Sequence, residues 1–366
     1  MRLNSVWGRL LLFIFIGSLL RFWKLFSGMT FYSDLSWFYL LSRDSVLHGS
    51  FPMVTIGASI SWLHQGAVWV YLLIPALILS GFNPVGGAVL TALMGIVSIP
   101  LIYYLAVLIS DKKTALISAF LLSCFFLPVV LSRLAYHNSP IILFFLVFAL
   151  CLVKKMGFVS GLFLGWLYQL HLLSIILWPF AYFYLFRHRL SPWKFSAGLF
   201  ISVLPFIIVG PLQTFGVLLW LARFLIHIKP VPAGFISISY LAIILVPAVI
   251  LAAKFLSFLS GKILFVLGLA FLMVNSFYLF SQNFLPPVLV GRHELSDQIS
   301  QTRQILVNSR ISNPEIRVAG GIAGITDYNA SYLYLIWWLN RLGVGPSGTH
   351  TVFQVNDSGT RVSVIE

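Results

Sequence analysis

Apolar runs long enough to cross a bilayer recur along this chain and leave few other ways to fold it. The clearest covers residues 84–110, 27 positions with no Asp, Glu, Lys or Arg, where about 20 apolar residues suffice to span the hydrocarbon core as a helix. Further runs occupy 7–26, 67–81, 114–131, 139–153, 157–186, 195–210, 233–252 and 262–281. With 60% hydrophobic and 9% charged residues over 366 positions and a mean hydropathy of +0.98, a soluble multidomain protein is excluded. The expectation is an α-helical polytopic membrane protein of about ten or eleven spans. Within 157–186, two short spans are expected to turn near Tyr168–His171.

The charges are segregated. Six of the nine acidic residues (Glu294, Asp297, Glu315, Asp327, Asp357, Glu366) follow the last apolar run, leaving Asp34, Asp44 and Asp111 before it. Seventeen of the 23 Lys and Arg residues precede Pro286, so the net charge of +14 belongs to the membrane part. Such basicity in a soluble protein would suggest nucleic acid. Here the cations sit in short turns between apolar runs, as the positive-inside bias requires, and nucleic-acid binding is rejected.

Lys112/Lys113, Lys154/Lys155, Arg187/Arg189/Lys194 and Lys254/Lys262 mark cytoplasmic turns; with Arg2 and Arg9 they place 11 cations inside against 6 outside. Residues 7–26 then form a retained signal anchor in the plasma (inner) membrane, with a cytoplasmic N-terminus. Residues 27–66 form an external loop, in which Leu35, Phe38, Tyr39, Leu41 and Leu47 suggest an interfacial amphipathic helix. Residues 211–230 stay outside as a second one. An odd number of crossings must separate 27–66 from Asp111, and Gly86, Gly87, Gly95 and Pro100 suggest that 84–110 breaks into two.

The chain divides into a membrane domain, 1–285, and a small extracytoplasmic α/β domain, 286–366. The second is read from an amphipathic pattern at 294–309, strand-like 316–319 and 362–365, and a capped helix over 327–342. Cys124 and Cys151 have neither disulfide nor metal spacing and read as packing residues. No GxGxxG, Walker, GxSxG or HExxH motif occurs, which argues against nucleotide-driven transport and metalloprotease chemistry.

Asp34, in FYSDLSW, has two readings: a general base for a hydroxyl at the membrane surface, or the cap of a helix starting at Leu35. Asp44 beside Arg43 reads as a solvated ion pair. Arg133, in LSRLAYHNSP, either presents its fork to a phosphate, helped by His137, or snorkels to headgroups. His64 and His171 are each a phosphate partner, a metal ligand or a packing residue. Arg223 shares a helical face with His227, and lipid anchoring is the default for both.

The order of these features resembles a known family. One span is followed by a loop opening with Asp34, then by "LHGSFPMVTIGAS", "HQGAVWVYLLIPALILSGFNPVGGAVL" and "LSRLAYHNSP". This order resembles the GT-C membrane glycosyltransferases. More narrowly, it resembles bacterial relatives of the dolichyl-phosphate-mannose protein mannosyltransferases, glycosyltransferase family 39, over roughly 7–185.

The resemblance implies a polyprenyl-phosphate sugar donor and an acceptor hydroxyl on a protein, lipid or glycan. It implies Asp34 as the base, and Arg133, His64 and His137 as candidate phosphate partners, with Asp44, Arg43, His171 and Arg223 in support. Members often show a second acid where this chain has Leu35, and Gly-Pro where it has Gly66-Ala67. With one acid, no cofactor is expected and a divalent metal is not expected to be essential. Two rival readings are a flippase of lipid-linked sugars and a non-catalytic partner in glycan assembly.

Overall fold

The computed structural model describes residues 5–31, 33–57, 64–210, 238–284, 294–309, 315–319, 330–344, 352–356 and 362–364. Helix α1 (Val6–Phe22) starts at Ser5, whose Oγ accepts from the Gly8 N–H at 3.0 Å. The short α2 (Leu25–Gly28) leads to α3 (Ser33–His48), and the hairpin β1 (Val54–Gly57) and β2 (His64–Gly66) feeds α4 (Val68–Leu79). Then come α5 (Val85–Ile109), α6 (Lys112–Cys124), α7 (Phe126–Leu131), α8 (Ile141–Val153) and α9 (Gly157–Leu170). A 3₁₀ turn (Leu172–Ile176) precedes α10 (Leu177–Arg187), α11 (Pro192–Val209), α12 (Ile238–Leu256) and α13 (Gly261–Ser281). The tail holds α14 (Leu295–Asn308), β3 (Glu315–Ala319), α15 (Ala330–Arg341), β4 (Val352–Asn356) and β5 (Val362–Val364).

Three of these helices, α5, α11 and α13, are long and apolar enough to cross a membrane. The other apolar helices, α4, α8, α9, α10 and the described part of α12, are 10–17 residues long, so the described residues show fewer full-length spans than the apolar runs suggest. The expected turn near Tyr168–His171 is present, between α9 and the 3₁₀ turn. The stretch 84–110 does not break: Pro100 is carried inside a continuous 25-residue α5, which rises about 37 Å. Helix α4 rises only about 18 Å, short of the ~30 Å core. One crossing-length helix, α5, therefore lies between residues 67 and 110, in place of the two short segments expected within 84–110. The expected interfacial helix at 211–230 lies outside the described residues.

The cation-bearing turns gather at one end of the bundle. Lys113 Nζ donates to the Leu259 carbonyl at 2.7 Å, and Lys254 Nζ meets Asp111 Oδ2 at 2.9 Å. Lys154 sits 4.6 Å from the Tyr104 ring centroid, near the end of α5. Gly157 faces Lys194. Asp111 also caps α6, accepting from the Thr114 N–H at 2.9 Å. That bond, the Lys254 ammonium and the Thr114 hydroxyl hold its carboxyl well below the usual carboxylate range.

The middle of the bundle is built on small residues. A Cβ added at Gly161 would run into the Phe195 carbonyl oxygen, and one at Gly198 into that of Phe158. Helices α9 and α11 therefore touch backbone to backbone, through GFVSGLFLG on one and GLFIS on the other. Elsewhere the apolar side chains face outward, as at Phe265, Met273 and Phe277 of α13, a surface suited to lipid rather than water.

Among the described residues, the tail helices join the core of the rest of the chain. Helix α15 packs on α3 and α14 on α2, and Leu295, Ile305, Tyr334 and Leu339 belong to the same apolar core as Tyr39 and Leu73. Strand β4 lies between parallel β3 and antiparallel β5. Tyr334 Oη donates to the Phe82 carbonyl at 2.8 Å, and Tyr39 Oη to that of Pro84 at 2.7 Å.

Gly161→Ala and Gly198→Ala should each destabilise the protein by about 2 kcal/mol or more, because backbone must move. Gly165→Ala meets the Ser202 side chain instead and should cost less. Thermal unfolding in detergent ranks the three variants.

Candidate functional site

The turn Ser132–Ser139 is folded into the protein rather than displayed at its surface. Arg133, His137, Asn138 and Ser139 are all buried. Arg133 projects back to the end of α1, where one guanidinium nitrogen donates to the carbonyls of Leu20 (3.3 Å), Arg21 (2.8 Å) and Trp23 (2.7 Å). Its guanidinium carbon lies 4.3 Å from the Phe284 ring centroid. A cation over a helix C-terminus both satisfies carbonyls that lack intrahelical partners and meets the negative end of the macrodipole. Burial pushes its pKa down to about 10, which leaves it charged at neutral pH. This is a capping role that neither the phosphate nor the snorkelling reading anticipates.

Arg21, which no sequence pattern singles out as a site residue, does the same for another helix. Its guanidinium donates to the carbonyls of Leu122 (3.1 Å) and Ser123 (3.0 Å) at the end of α6, and to Gly17 in its own helix at 3.0 Å. The side chain is fully buried, and glycines at 17 and 95 leave room for it. An arginine inside an apolar run, spaced from small residues, is the available signal.

Two of the histidines meet. His137 packs against Tyr136 (ring centroids 4.0 Å) and Phe38 of α3 (5.2 Å), and lies nearly parallel to His171 at 6.4 Å. His171 ends α9, and its Nδ1 accepts from the Leu173 N–H at 3.3 Å. His64 Nδ1 lies 3.1 Å from the Thr55 carbonyl oxygen across the β1–β2 hairpin. That hairpin rests on α9 where Gly66 abuts Gln169, and Gln169 Oε1 accepts from the first N–H of α4, that of Val68, at 3.2 Å.

Among the described residues, His137 Nδ1 and Asn138 Oδ1 are buried without a hydrogen-bond partner. Such atoms are costly to leave unmet and mark a place where a polar ligand group would be stabilised. No group of three or more His, Cys, Asp or Glu among the described residues is arranged to hold a metal.

Position 34 falls in the first turn of α3, one helical turn before Phe38 and on the same face by periodicity. The helix starts at Ser33 rather than Leu35, so position 34 is its second residue and not its cap; the side chain of Asp34 and the whole of Arg223 lie outside the described residues. Asp44 and Arg43 pair at 2.7 Å, as their adjacency suggests, and the Arg43 guanidinium lies 5.2 Å from the Trp337 ring centroid. Cys124 and Cys151 are buried and free.

Desolvation, with His171 nearby as a second cause, holds His137 well below the ordinary imidazole range. Desolvation alone pushes His171 down to about 4. Both are neutral at pH 7. Between about 6.5 and 4 the unfolded chain takes up protons that the folded one refuses, so stability falls as pH drops through that window and is level above it. Melting of the detergent-solubilised protein should follow this curve, and His171→Asn should lessen its slope while leaving the part due to His137.

Arg133→Ala should cost about 3 kcal/mol, the worth of charged bonds to buried carbonyls, with Arg133→Lys retaining part of it. If Arg133 served only a phosphate, both variants would melt like the parent.

No protein-family model, no curated protein and no solved structure matches this chain.

Proposed function

We propose that this chain is a polytopic GT-C-like membrane glycosyltransferase. It would move one sugar from a polyprenyl phosphate to an acceptor hydroxyl, with inversion, at the extracytoplasmic face. Supporting this reading, position 34 stands one turn from Phe38, whose ring meets His137, at the end of the bundle opposite the cation-bearing turns. In this reading the cationic end is cytoplasmic, the N-terminus with it, and the elements of 286–366 stand at the outer end beside the site.

Asp34 takes the proton from the acceptor hydroxyl as its oxygen attacks the anomeric carbon. The carbon–oxygen bond to the phosphate breaks, and the phosphate leaves with the bonding pair. His137 and His171 offer N–H donors to that phosphate, in a setting where fixed dipoles act more strongly than in water, while His64, whose Nδ1 faces the Thr55 carbonyl, lines the same side of the site. Arg133 acts by holding the end of α1, and therefore the segment that carries position 34, rather than by touching substrate.

Asp34→Asn keeps size and shape and removes the base. Sugar transfer, assayed with a panel of radiolabelled polyprenyl-phosphate sugars, should fall about 10²–10⁴-fold in both Asp34→Asn and Asp34→Ala, with little change in melting. Parent-like transfer by the Asn variant would remove Asp34 from the mechanism.

A further inference from the structure

Five helices end in the same way among the described residues. In each, the second residue beyond the helix has a positive φ, its N–H returns to the carbonyl three residues back, and the next N–H returns five residues back. The pairs are Gly81 and Phe82 after α4, Lys155 and Met156 after α8, Arg189 and Leu190 after α10, Asn283 and Phe284 after α13, and Gly343 and Val344 after α15. This is the Schellman arrangement, whose left-handed position favours Gly, then Asn.

The five divide by end of the molecule. Gly81, Asn283 and Gly343 lie by Phe82, Tyr334 and Phe284, at the site end. Lys155 and Arg189 lie at the cationic end, with φ of 62° and 53°. A left-handed L-residue is strained where Gly is not, so these two positions carry a charge at a conformational cost.

The two charges are not alone. Lys154, Lys155, Arg187, Arg189 and Lys194 are all exposed. The two turns are joined by the contact of Gly157 with Lys194, and the bond of Tyr182 Oη with Ser196 Oγ at 2.7 Å ties together the helices on either side of the second. The sequence offers them no neutralising partner, because no Asp or Glu occurs between Asp111 and Glu294. Asp111 is taken by Lys254 and by its own cap. Beside them Trp193, Phe183 and Phe186 are strongly exposed, the aromatic flank expected at a membrane interface. Five cations in two adjoining turns, without an internal counterion and edged by aromatics, fit the headgroup phosphates of a membrane leaflet.

We propose that the turns 154–156 and 187–194 form a binding site for anionic phospholipid headgroups, with Lys155 and Arg189 as its two selected cations. The site depends on membrane insertion and is independent of the transfer chemistry. The full chain is placed in nanodiscs of equal parts phosphatidylglycerol and phosphatidylcholine, and the lipids retained on release are counted by native mass spectrometry. The parent should retain phosphatidylglycerol selectively. Lys155→Gly with Arg189→Gly removes both charges while relieving both strained turns, so the variant should melt at or above the parent. Its selectivity should fall by about fivefold per charge, about 25-fold in all. Exchanging the two residues, Lys155→Arg with Arg189→Lys, should preserve selectivity. Parent-like selectivity in the glycine variant would show the cations to be end caps only. Complete displacement of the lipid by millimolar inorganic phosphate would show a free-phosphate site. Either result overturns the proposal.

Discussion

A helix that stops inside an apolar interior leaves carbonyl and amide groups with no water to turn to, and this constraint shapes most of the bundle. Several helices here stop short. Helix α6 ends at Cys124, one residue before α7 begins, and its last carbonyls are met by Arg21 of α1. The end of α1 is met in turn by Arg133. The first N–H of α7, on Phe126, donates to Asn275 Oδ1 of α13 at 2.9 Å. The first N–H of α4 donates to Gln169 of α9. Each loose end is closed by a side chain from a different helix or turn, so the caps also fix which helices are neighbours. Among the described residues, Arg21 and Arg133 carry their charge into the interior without a carboxylate. Helix C-terminal dipoles replace the counterion, which avoids burying a second ion.

These caps set the level at which the candidate site sits. By holding the end of α1, Arg133 sets where the chain leaves that helix, and ten residues later it enters α3. Helix α3 is then pinned from the other side by the tail: Tyr39 and Tyr334 pack edge to face at 5.4 Å, and Arg43 leans on Trp337. The position of residue 34 in the first turn of α3 thus depends on a capped helix end and on an aromatic clamp. A change in either would move the site without touching its chemistry.

The helical class, the cationic turns, the turn at His171 and the pairing of Arg43 with Asp44 are legible in the sequence, because each is a local pattern of hydropathy, charge or adjacency. What stays hidden depends on three-dimensional neighbours. Gly86, Gly87 and Gly95 read as helix breakers, yet they are sites of close approach. A Cβ at Gly87 would strike Tyr39 Oη, and one at Gly95 would crowd Ser132 and Arg21. Pro100 costs α5 one internal bond and no break, because the rest of the 25-residue helix is held by α1, α6 and α8. The small-residue spacing of GFVSGLFLG is visible in the sequence, but which helix it meets is not. The roles of Arg21 and Arg133 are hidden for the same reason: a cap is defined by the helix end it reaches, and both reach across 100 residues or more.

The two ends of the bundle solve one problem with different residues, and the difference follows from what each end faces. At the site end, the second residues beyond α4, α13 and α15 are Gly81, Asn283 and Gly343, and the residues that complete the turns after α4 and α13, Phe82 and Phe284, are left-handed as well and buried. There the turn must pack under a neighbour, and a charged side chain would have nowhere to go. At the other end the corresponding residues are Lys155 and Arg189, both exposed, where a long side chain meets only solvent or headgroups and adds a positive charge at a negative helix terminus. The same backbone turn therefore accepts Gly where packing decides and a cation where the surroundings are polar. The two ends of the bundle therefore differ: one is aromatic and histidine-bearing, and the other gathers the cation-bearing turns, where among the described residues Lys254 is the cation paired with a carboxylate.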